Sequence, residues 1–412
     1  MSLSRQAHGA MIARRHVFHV AGYDPYDIAG QHNRFRRELA KFAKTWSVAA
    51  AASDVRQDEF PSWTVTTRGP DWTVTTTCEP FDWHDIVRAD LAGPPLARLA
   101  AGAATFADVV GSGTFRRYFG ASHRYAFFFL VPFLDVVLFA CVGTLAGYVI
   151  AGALALTGIM RALAAAPIGV AAFAVLMQWP GRSWRVAQGL ADWIFARDYM
   201  RGLRPDVEAR IDQFADRLLA RARAGEVDEI VVVGHSLGAT FAVDLIARAL
   251  ARDPGLARHG PAVSLLTIGA TIPKITLHPG GGRLRECAGK VAAEPGLFWV
   301  EYQAREDAIS FYKFHPVTLR AVAAEGDADK PLVRRVQFHE MMSPQSYRRH
   351  RFNFMRLHYQ FVMANEQRSP YDYFMVVCGP LALTQTACMP RGPAGAVAAD
   401  GSLTAPRASA AP

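Results

Sequence analysis

The residues best suited to covalent chemistry lie in one run, Glu229-Ile-Val-Val-Val-Gly-His-Ser-Leu-Gly238, which sets Ser236 in a G-x-S-x-G pattern. The β-branched residues ahead of it read as a buried parallel strand. Helical spacing of apolar residues resumes over 239–251. A serine on so tight a strand-to-helix turn projects its hydroxyl above a sheet, where it can attack a carbonyl carbon. Gly234 and Gly238, flanking His235 and Leu237, would remove side chains that otherwise clash, one against the strand and one against the helix. The backbone N–H of Leu237, at a helix N-terminus, would face the reaction centre and favour an oxyanion. The chemistry this pattern points to is acyl transfer through a covalent serine ester. An ordinary glycine-bounded turn is the alternative.

Positioning that serine requires a layered α/β scaffold, and the rest of the chain supplies its elements. Residues 16–20 read as a strand ended by Ala21-Gly22. Residues 31–45 carry Phe35, Leu39, Phe42 and Ala43 at helical spacing, and 47–52 form a second short strand. Trp-Thr-Val-Thr-Thr occurs at 63–67 and again at 72–76 around Gly69-Pro70, which predicts a hairpin. A helix is expected over 205–224, with Val207, Ile211, Phe214, Leu218 and Leu219 on one face. Further strands are expected at 262–268, 297–302 and 333–338, and the last clear helix at 357–364. Such alternation predicts an α/β fold whose mainly parallel sheet has helices on both faces.

Gly-His-Ser-Leu-Gly after a valine-rich strand resembles the nucleophile elbow of lipases and esterases in the α/β-hydrolase superfamily. The resemblance covers roughly residues 15–55 and 200–365. It implies the chain order oxyanion turn, nucleophile, acid, histidine. In that order the acid belongs just past a strand after the elbow, where Trp299-Val-Glu-Tyr-Gln-Ala-Arg-Glu-Asp307 offers Asp307, with Glu306 beside it and Glu301 inside the strand. The base belongs after the final strand. His339 sits at that strand's end, His350 stands among Arg348, Arg349 and Arg351, and His358 opens an apolar stretch; His358 is the preferred base and His350 the second choice. The second oxyanion donor is expected from backbone N–H groups near Gly22 and Tyr23, in place of the HGGG form of some lipases. Asp24 and Asp27 lack further ligands, so no metal is expected, and nothing calls for a cofactor. The aromatic and charged cluster Trp83-His-Asp-Ile-Val-Arg88 receives no role beyond structure.

One segment falls outside the resemblance. From 125 to 160 the only formally charged residue is Asp135, and from 162 to 180 there is none; Arg161 separates the runs. Each is long enough for a bilayer, which needs about 20 apolar residues. Arg116, Arg117 and Arg124 precede the first run, and Arg182 and Arg185 follow the second, so both flanks are expected on the cytoplasmic side. Domain boundaries follow: 1–124 and 181–388 build the hydrolase domain, 125–180 a transmembrane hairpin, and 389–412, rich in Ala, Pro and Gly, a disordered tail. The chain's 51% hydrophobic and 20% charged residues agree with a membrane protein. The net charge of +9 is scattered, with no aromatic-interleaved basic patch, so nucleic acid is not an expected partner. Five cysteines without CxxC spacing read as reduced and structural, and no secretory signal is read at the amino terminus.

The sequence therefore predicts a multi-pass protein of a bacterial-type inner membrane that hydrolyses a lipid-like ester or a thioester. An acyltransferase would use the same residues. Two rivals differ in kind: a membrane scaffold that keeps the fold without turnover, and a soluble enzyme whose residues 125–180 form a hydrophobic cap. Acyl and head-group preference and oligomeric state are not encoded in any motif.

Overall fold

A computed structural model describes residues 11–322 and 329–404. One compact unit comprises residues 1–86 and 204–412, and a second comprises Val87–Leu203. In the first unit the strands are Arg14–Val20 (β1), Ala49–Ala52 (β2), Trp63–Arg68 (β3), Thr73–Pro80 (β4), Glu229–His235 (β5), Ala262–Ile268 (β6), Phe298–Ala304 (β7), Phe314–His315 (β8), Arg320–Ala321 (β9) and Leu332–Val336 (β10). Eight of them make one sheet in the order β10-β7-β6-β5-β1-β4-β3-β2, while β8 and β9 form a separate ribbon. The pairings from β10 through to β4 are parallel, and those of β3 with β4 and β2 are antiparallel. The fold class expected from the sequence, a mainly parallel α/β sheet, is present.

Successive side chains of a strand point to opposite faces, and here both faces are covered. Val17, Val231, Val233, Leu266 and Ile268 enter a buried cluster with Leu39, Phe42 and Trp46 of the helix Ile28–Trp46 and with Phe374 of the helix Tyr373–Cys378. Phe18, one residue on from Val17, faces the other way. Its ring stacks on Phe81 at 4.6 Å, and Phe81 stacks on Phe214 of the helix Pro205–Ala224 at 4.2 Å. The helix Gly238–Arg252 leaves β5 at the elbow and is buried along most of its length. The repeated pentapeptide forms the expected hairpin, with Trp63 opposite Cys78 and Arg68 opposite Thr73.

One ion pair fastens the sheet at the amino-terminal ends of its central strands. Arg15 and Glu229 stand opposite each other on β1 and β5, both buried, with Nε to Oε2 at 2.8 Å. The same guanidinium donates to the carbonyls of Gly379 and Leu381, and Glu229 Oε1 accepts the Leu383 N–H at 2.8 Å. Arginine's planar fork suits this multiple role. It joins three segments far apart in the chain.

Two sequence expectations are corrected here. Residues 357–364 do not form one helix: Phe354–His358 is a single short helix, and Tyr359–Val362 tightens into a 3-10 turn. His358 thus ends a helix instead of opening one. The tail expected to be disordered from 389 is folded through 404. The carbonyl of Gly401, at φ +90°, accepts the Trp72 indole N–H at 2.9 Å, and Leu403 packs beside Ile12, Trp72 and Val74. Alanine and glycine enrichment argues for disorder only when a segment has no apolar surface to cover; this one covers the hairpin's second tryptophan. Residues 405–412 lie outside the described residues.

The second unit is helical and extends beyond the 125–180 segment expected for the hairpin. Its two long helices are His123–Ala153 and Gly158–Gln178, so Arg161 lies inside the second helix instead of between the two. The Arg161 guanidinium lies 3.6 Å from the centre of the Tyr148 ring and donates to the Tyr148 carbonyl at 3.2 Å. The helices meet through glycine: a Cβ on Gly147 would stand 2.2 Å from the Ala165 carbonyl oxygen, and one on Gly143 2.8 Å from that of Gly169. The first third of His123–Ala153 belongs to a packed core, in which Tyr125 and Phe129 meet Tyr118 and Trp193. Both long helices are long and apolar enough to cross a bilayer, and they expose large residues such as Leu145, Leu163 and Val170.

Replacing Arg15 with Ala leaves Glu229 charged, buried and unpaired, and is expected to cost about 3–5 kcal/mol of stability. Denaturant unfolding of the detergent-solubilised variant checks this; a loss below about 1 kcal/mol would remove the staple from this account.

Candidate functional site

In a parallel sheet the carboxyl ends of neighbouring strands emerge along one edge, and a crevice opens where the strand order reverses direction. Here that reversal lies at β1, since later strands add outward through β5, β6, β7 and β10 on one side while β4, β3 and β2 lie on the other. Ala21-Gly22 follows β1, Ser236 follows β5, Gly269 follows β6, Asp307 follows β7, and His358 comes after β10. All these positions follow strands that run in the same direction.

Ser236 has φ +57°, a left-handed conformation that a residue with a Cβ adopts only under constraint. The constraint is visible on three sides. Its N–H donates to the Ile268 carbonyl at 3.2 Å, and its carbonyl accepts from the Thr271 and Ala239 N–H groups. Gly238 passes so close to β1 that a Cβ there would lie 2.2 Å from the Val20 carbonyl oxygen, and a Cβ on Gly234 would lie 2.5 Å from Ala239 Cα. Glycine is required at both, one to let the helix approach the strand ends and one to let the helix turn back over β5. A Cβ on Gly22 would stand 2.8 Å from Ser236 Cβ and 3.2 Å from its Oγ, so the turn after β1 presses directly on the serine.

Asp307 and His358, 51 residues apart, meet at 2.9 Å through Oδ2 and Nδ1, both buried. The other carboxylate oxygen of Asp307 accepts the Ile309 N–H at 3.0 Å. With Nδ1–H donating to the carboxylate, Nε2 of His358 keeps its lone pair, and among the described residues it has no hydrogen-bond partner. The histidine is tied to the elbow through His235 and passes close to Gly269. Its carbonyl accepts from His235 Nε2 at 3.2 Å, with the rings 4.7 Å apart, and its Cε1 would meet a Cβ on Gly269 at 3.1 Å. Gly269, at φ +50°, is therefore the clearance that admits the His358 ring next to the residue supplying the Ser236 N–H acceptor.

Other sequence candidates stand elsewhere. Glu301 is buried within β7, accepting from Thr267 and Gln303, and burial pushes its carboxyl up to about 7. Glu306 and His339 pair with each other at 3.4 Å, with His339 half exposed. His350 ends the helix Pro344–His350, where burial and the charges of Arg356 and Arg349 lower its pKa. Among the described residues the backbone N–H groups of Gly22 and Leu237 donate to no acceptor; Tyr23 is buried beside them. Asp27 caps the helix Ile28–Trp46 through the Gly30 N–H, and Asp24 accepts the Tyr359 hydroxyl.

Two supports had no place at the site in the sequence reading. Trp83 donates its indole N–H to the Ala21 carbonyl at 3.1 Å and packs edge-on against Tyr23 and Phe241, bracing the turn that carries Gly22. Tyr359 joins the histidine loop to Asp24. A glycine directly after a strand was a visible signal for Gly269; Trp83 stood out only within an aromatic and charged cluster read as structural.

Burial dominates the electrostatics of His19 and His235. His19 is pushed down to about 3 by burial and by the nearby Arg34 charge. His235 is lowered by burial first, then by His358, His19 and Arg34. Both stay neutral in the folded protein at pH values where an unfolded chain, with histidine near 6.5, takes up protons. Unfolding therefore binds protons, and stability is full above about pH 6.5 and falls as pH is lowered. Each of the two contributes a slope of up to about 1.4 kcal/mol per pH unit below that value. Melting temperature measured from pH 7.5 to 5 is expected to fall, and to fall less steeply in His235→Gln. Parallel profiles for wild type and variant would show that His235 is not held neutral.

Compared with known protein families, with curated proteins and with solved structures, the chain finds no match in any of the three. The chemistry of this site therefore stands on its own geometry.

Proposed function

We propose that the chain is a membrane-anchored serine hydrolase of the α/β-hydrolase type, acting on a carboxylic ester or thioester. The observation that carries this reading is the buried Asp307–His358 pair at 2.9 Å, fixed to the same elbow that holds Ser236 at φ +57°. Ser236 Oγ attacks the carbonyl carbon while its proton passes to His358 Nε2. Asp307 holds the ring by Nδ1 and stabilises the imidazolium that forms. The N–H groups of Leu237 and of the Gly22-Tyr23 turn stabilise the tetrahedral oxyanion, and donors already in place require no reorganisation as charge develops. Collapse breaks the bond to the leaving alcohol or thiol, which takes the proton from His358. Water, deprotonated by the same nitrogen, then releases the acid and restores Ser236. An acceptor alcohol in place of water gives acyl transfer with the same residues.

The anchor reading rests on the two long apolar helices. Residues 136–153, past the packed aromatic start of the first helix, extend about 27 Å, and the 21 residues of Gly158–Gln178 about 31 Å, close to a hydrocarbon core of about 30 Å. Arginines before and after the pair support a cytoplasmic position for both flanks.

A fluorophosphonate probe should label the detergent-solubilised protein and not its Ser236→Ala variant. Asp307→Asn and His358→Ala should each lower ester turnover by about 10³–10⁴-fold. A well-folded wild type that takes no label, or a His358→Ala variant with near-normal turnover, overturns the hydrolase in favour of a scaffold that keeps the fold. The protein should also stay in the membrane fraction through alkaline carbonate washing; recovery in the soluble fraction without detergent favours residues 125–180 as a cap.

A further inference from the structure

Beside the elbow lies a cavity of about 50 Å³ that the triad does not use. It opens between the carboxyl-terminal halves of β1 and β4, the first turns of the helix Ile28–Trp46, and the segment after His358. Its polar lining is His19, Gln31, Arg34 and Tyr373, set against apolar walls that include Trp63 and Val362. A water needs about 10–15 Å³ of such space, so the cavity takes a group of a few heavy atoms and not an acyl chain.

The lining is made of donors. Arg34 carries a fixed charge and makes no hydrogen bond among the described residues; Asp24 Oδ2 is its carboxylate neighbour, at 3.7 Å. That carboxylate is engaged by the Tyr359 hydroxyl and, through Oδ1, by the Tyr26 N–H. The guanidinium is held instead between rings, 5.1 Å from the centre of Tyr359 and 5.7 Å from that of Tyr26, which leaves its N–H edges unspent. His19 Nδ1 and the Tyr373 hydroxyl share a hydrogen bond at 3.1 Å, and whichever of the two donates, one donor is left over, the ring Nε2–H or the phenolic O–H. Gln31 uses one of its amide hydrogens on the Tyr26 carbonyl. Among the described residues no carboxylate lines the cavity.

A short path joins the cavity to the nucleophile. Tyr359, which stacks under Arg34, directly follows His358, and the His235 ring lies 5.7 Å from that of Tyr359. His235 in turn directly precedes Ser236. A planar or tetrahedral anion bound to Arg34 would thus be separated from the Ser236 backbone by the Tyr359 and His235 rings.

We propose that this cavity is a subsite for an anionic group, a carboxylate or phosphate, borne by the ester that Ser236 attacks, with Arg34 as its main ligand. The proposal rests on the hydrolase reading for its second half only; anion binding stands without it. Arg34 and the Gln31 amide would hold the anion by charge-assisted bonds, which are stronger than neutral ones. The anion would then fix the scissile carbonyl relative to Ser236. A soluble phosphoester or dicarboxylate monoester and an acidic phospholipid headgroup share this chemistry.

The test uses the full chain in neutral detergent, with inorganic phosphate as probe. At phosphate about tenfold above half-saturation, wild type and Ser236→Ala should both gain about 2 °C in melting temperature. Arg34→Gln should lose that gain, and Arg34→Lys, which keeps the charge but not the fork, should keep part of it. In wild type the same phosphate should slow fluorophosphonate labelling of Ser236 at least fivefold, and in Arg34→Gln it should not. Mixed micelles containing phosphatidic acid that slow labelling at far lower headgroup concentration than free phosphate assign the anion to a lipid; equal potency assigns it to a soluble ester. Equal stabilisation of wild type and Arg34→Gln overturns the subsite, and so does the absence of any gain in both wild type and Arg34→Lys. Phosphate that binds through Arg34 without slowing labelling overturns its place in substrate binding. Wild type that is stabilised through Arg34 yet takes no label supports the subsite and overturns Ser236 as nucleophile.

Discussion

The geometry of the sheet's carboxyl edge depends on one close approach, that of the helix Gly238–Arg252 to the end of β1. With a Cβ at residue 238 the nearest carbonyl oxygen would be 2.2 Å away, and with one at residue 22 the Ser236 side chain itself would be displaced. Because neither side chain exists, β5 can turn into its helix within two residues, and Ser236 is left at φ +57°. A left-handed serine costs on the order of 1–3 kcal/mol. The cost is met by fixing both of its backbone groups, the N–H on the Ile268 carbonyl and the carbonyl on the Thr271 and Ala239 amides. Strain at Ser236 is thus held by the backbone groups around it.

The charged groups follow the same logic of compensation. Burial disfavours a charged carboxylate, and Glu301, with only neutral side-chain donors in Thr267 and Gln303, has its carboxyl pushed up to about 7. Asp307, equally buried, has a histidine N–H and a backbone N–H on its two oxygens. The two acids lie on and just beyond the same strand and differ in what their surroundings donate. Arg15 and Glu229 repeat the pattern at the opposite edge, where multiple carbonyl and amide partners accompany the ion pair. One edge of the sheet is closed by a satisfied network, while the other keeps an unpartnered Nε2 and unspent arginine donors.

The helical unit obeys different packing rules. Its long helices touch through Gly143, Gly147 and Gly169, where backbone meets backbone, and turn leucine, valine and isoleucine outward. Close contact through small residues is a feature of helices that gain little from burying apolar surface against each other. The aromatic cluster of Tyr118, Tyr125, Phe129 and Trp193 is the reverse, a core of large rings. One continuous helix, His123–Ala153, passes from the second regime into the first.

Much of the first unit was legible locally, because strand and helix periods and tight-turn glycines are properties of neighbouring residues. The hairpin of the two Trp-Thr-Val-Thr-Thr repeats, the helix Pro205–Ala224, the strand Ala262–Ile268 and the elbow around Ser236 all lie where the sequence puts them. Asp307 and His358 were reached only through chain order, with Glu306, His339 and His350 as competitors that no local pattern dismisses. Tertiary structure brings Asp307 and His358 within 2.9 Å of each other, and whether two residues 51 positions apart meet depends on which strand ends adjoin and which glycine clears the ring. It likewise decided the tail, where composition could not foresee that Trp72 needs an acceptor from Gly401. Trp83, Tyr359 and Arg34 acquire meaning only from what stands next to them. The sequence by itself determined the elements and the turn that strains the serine, since those depend on local sterics and periodicity; the partners of that serine depend on long-range packing, which only the folded chain specifies.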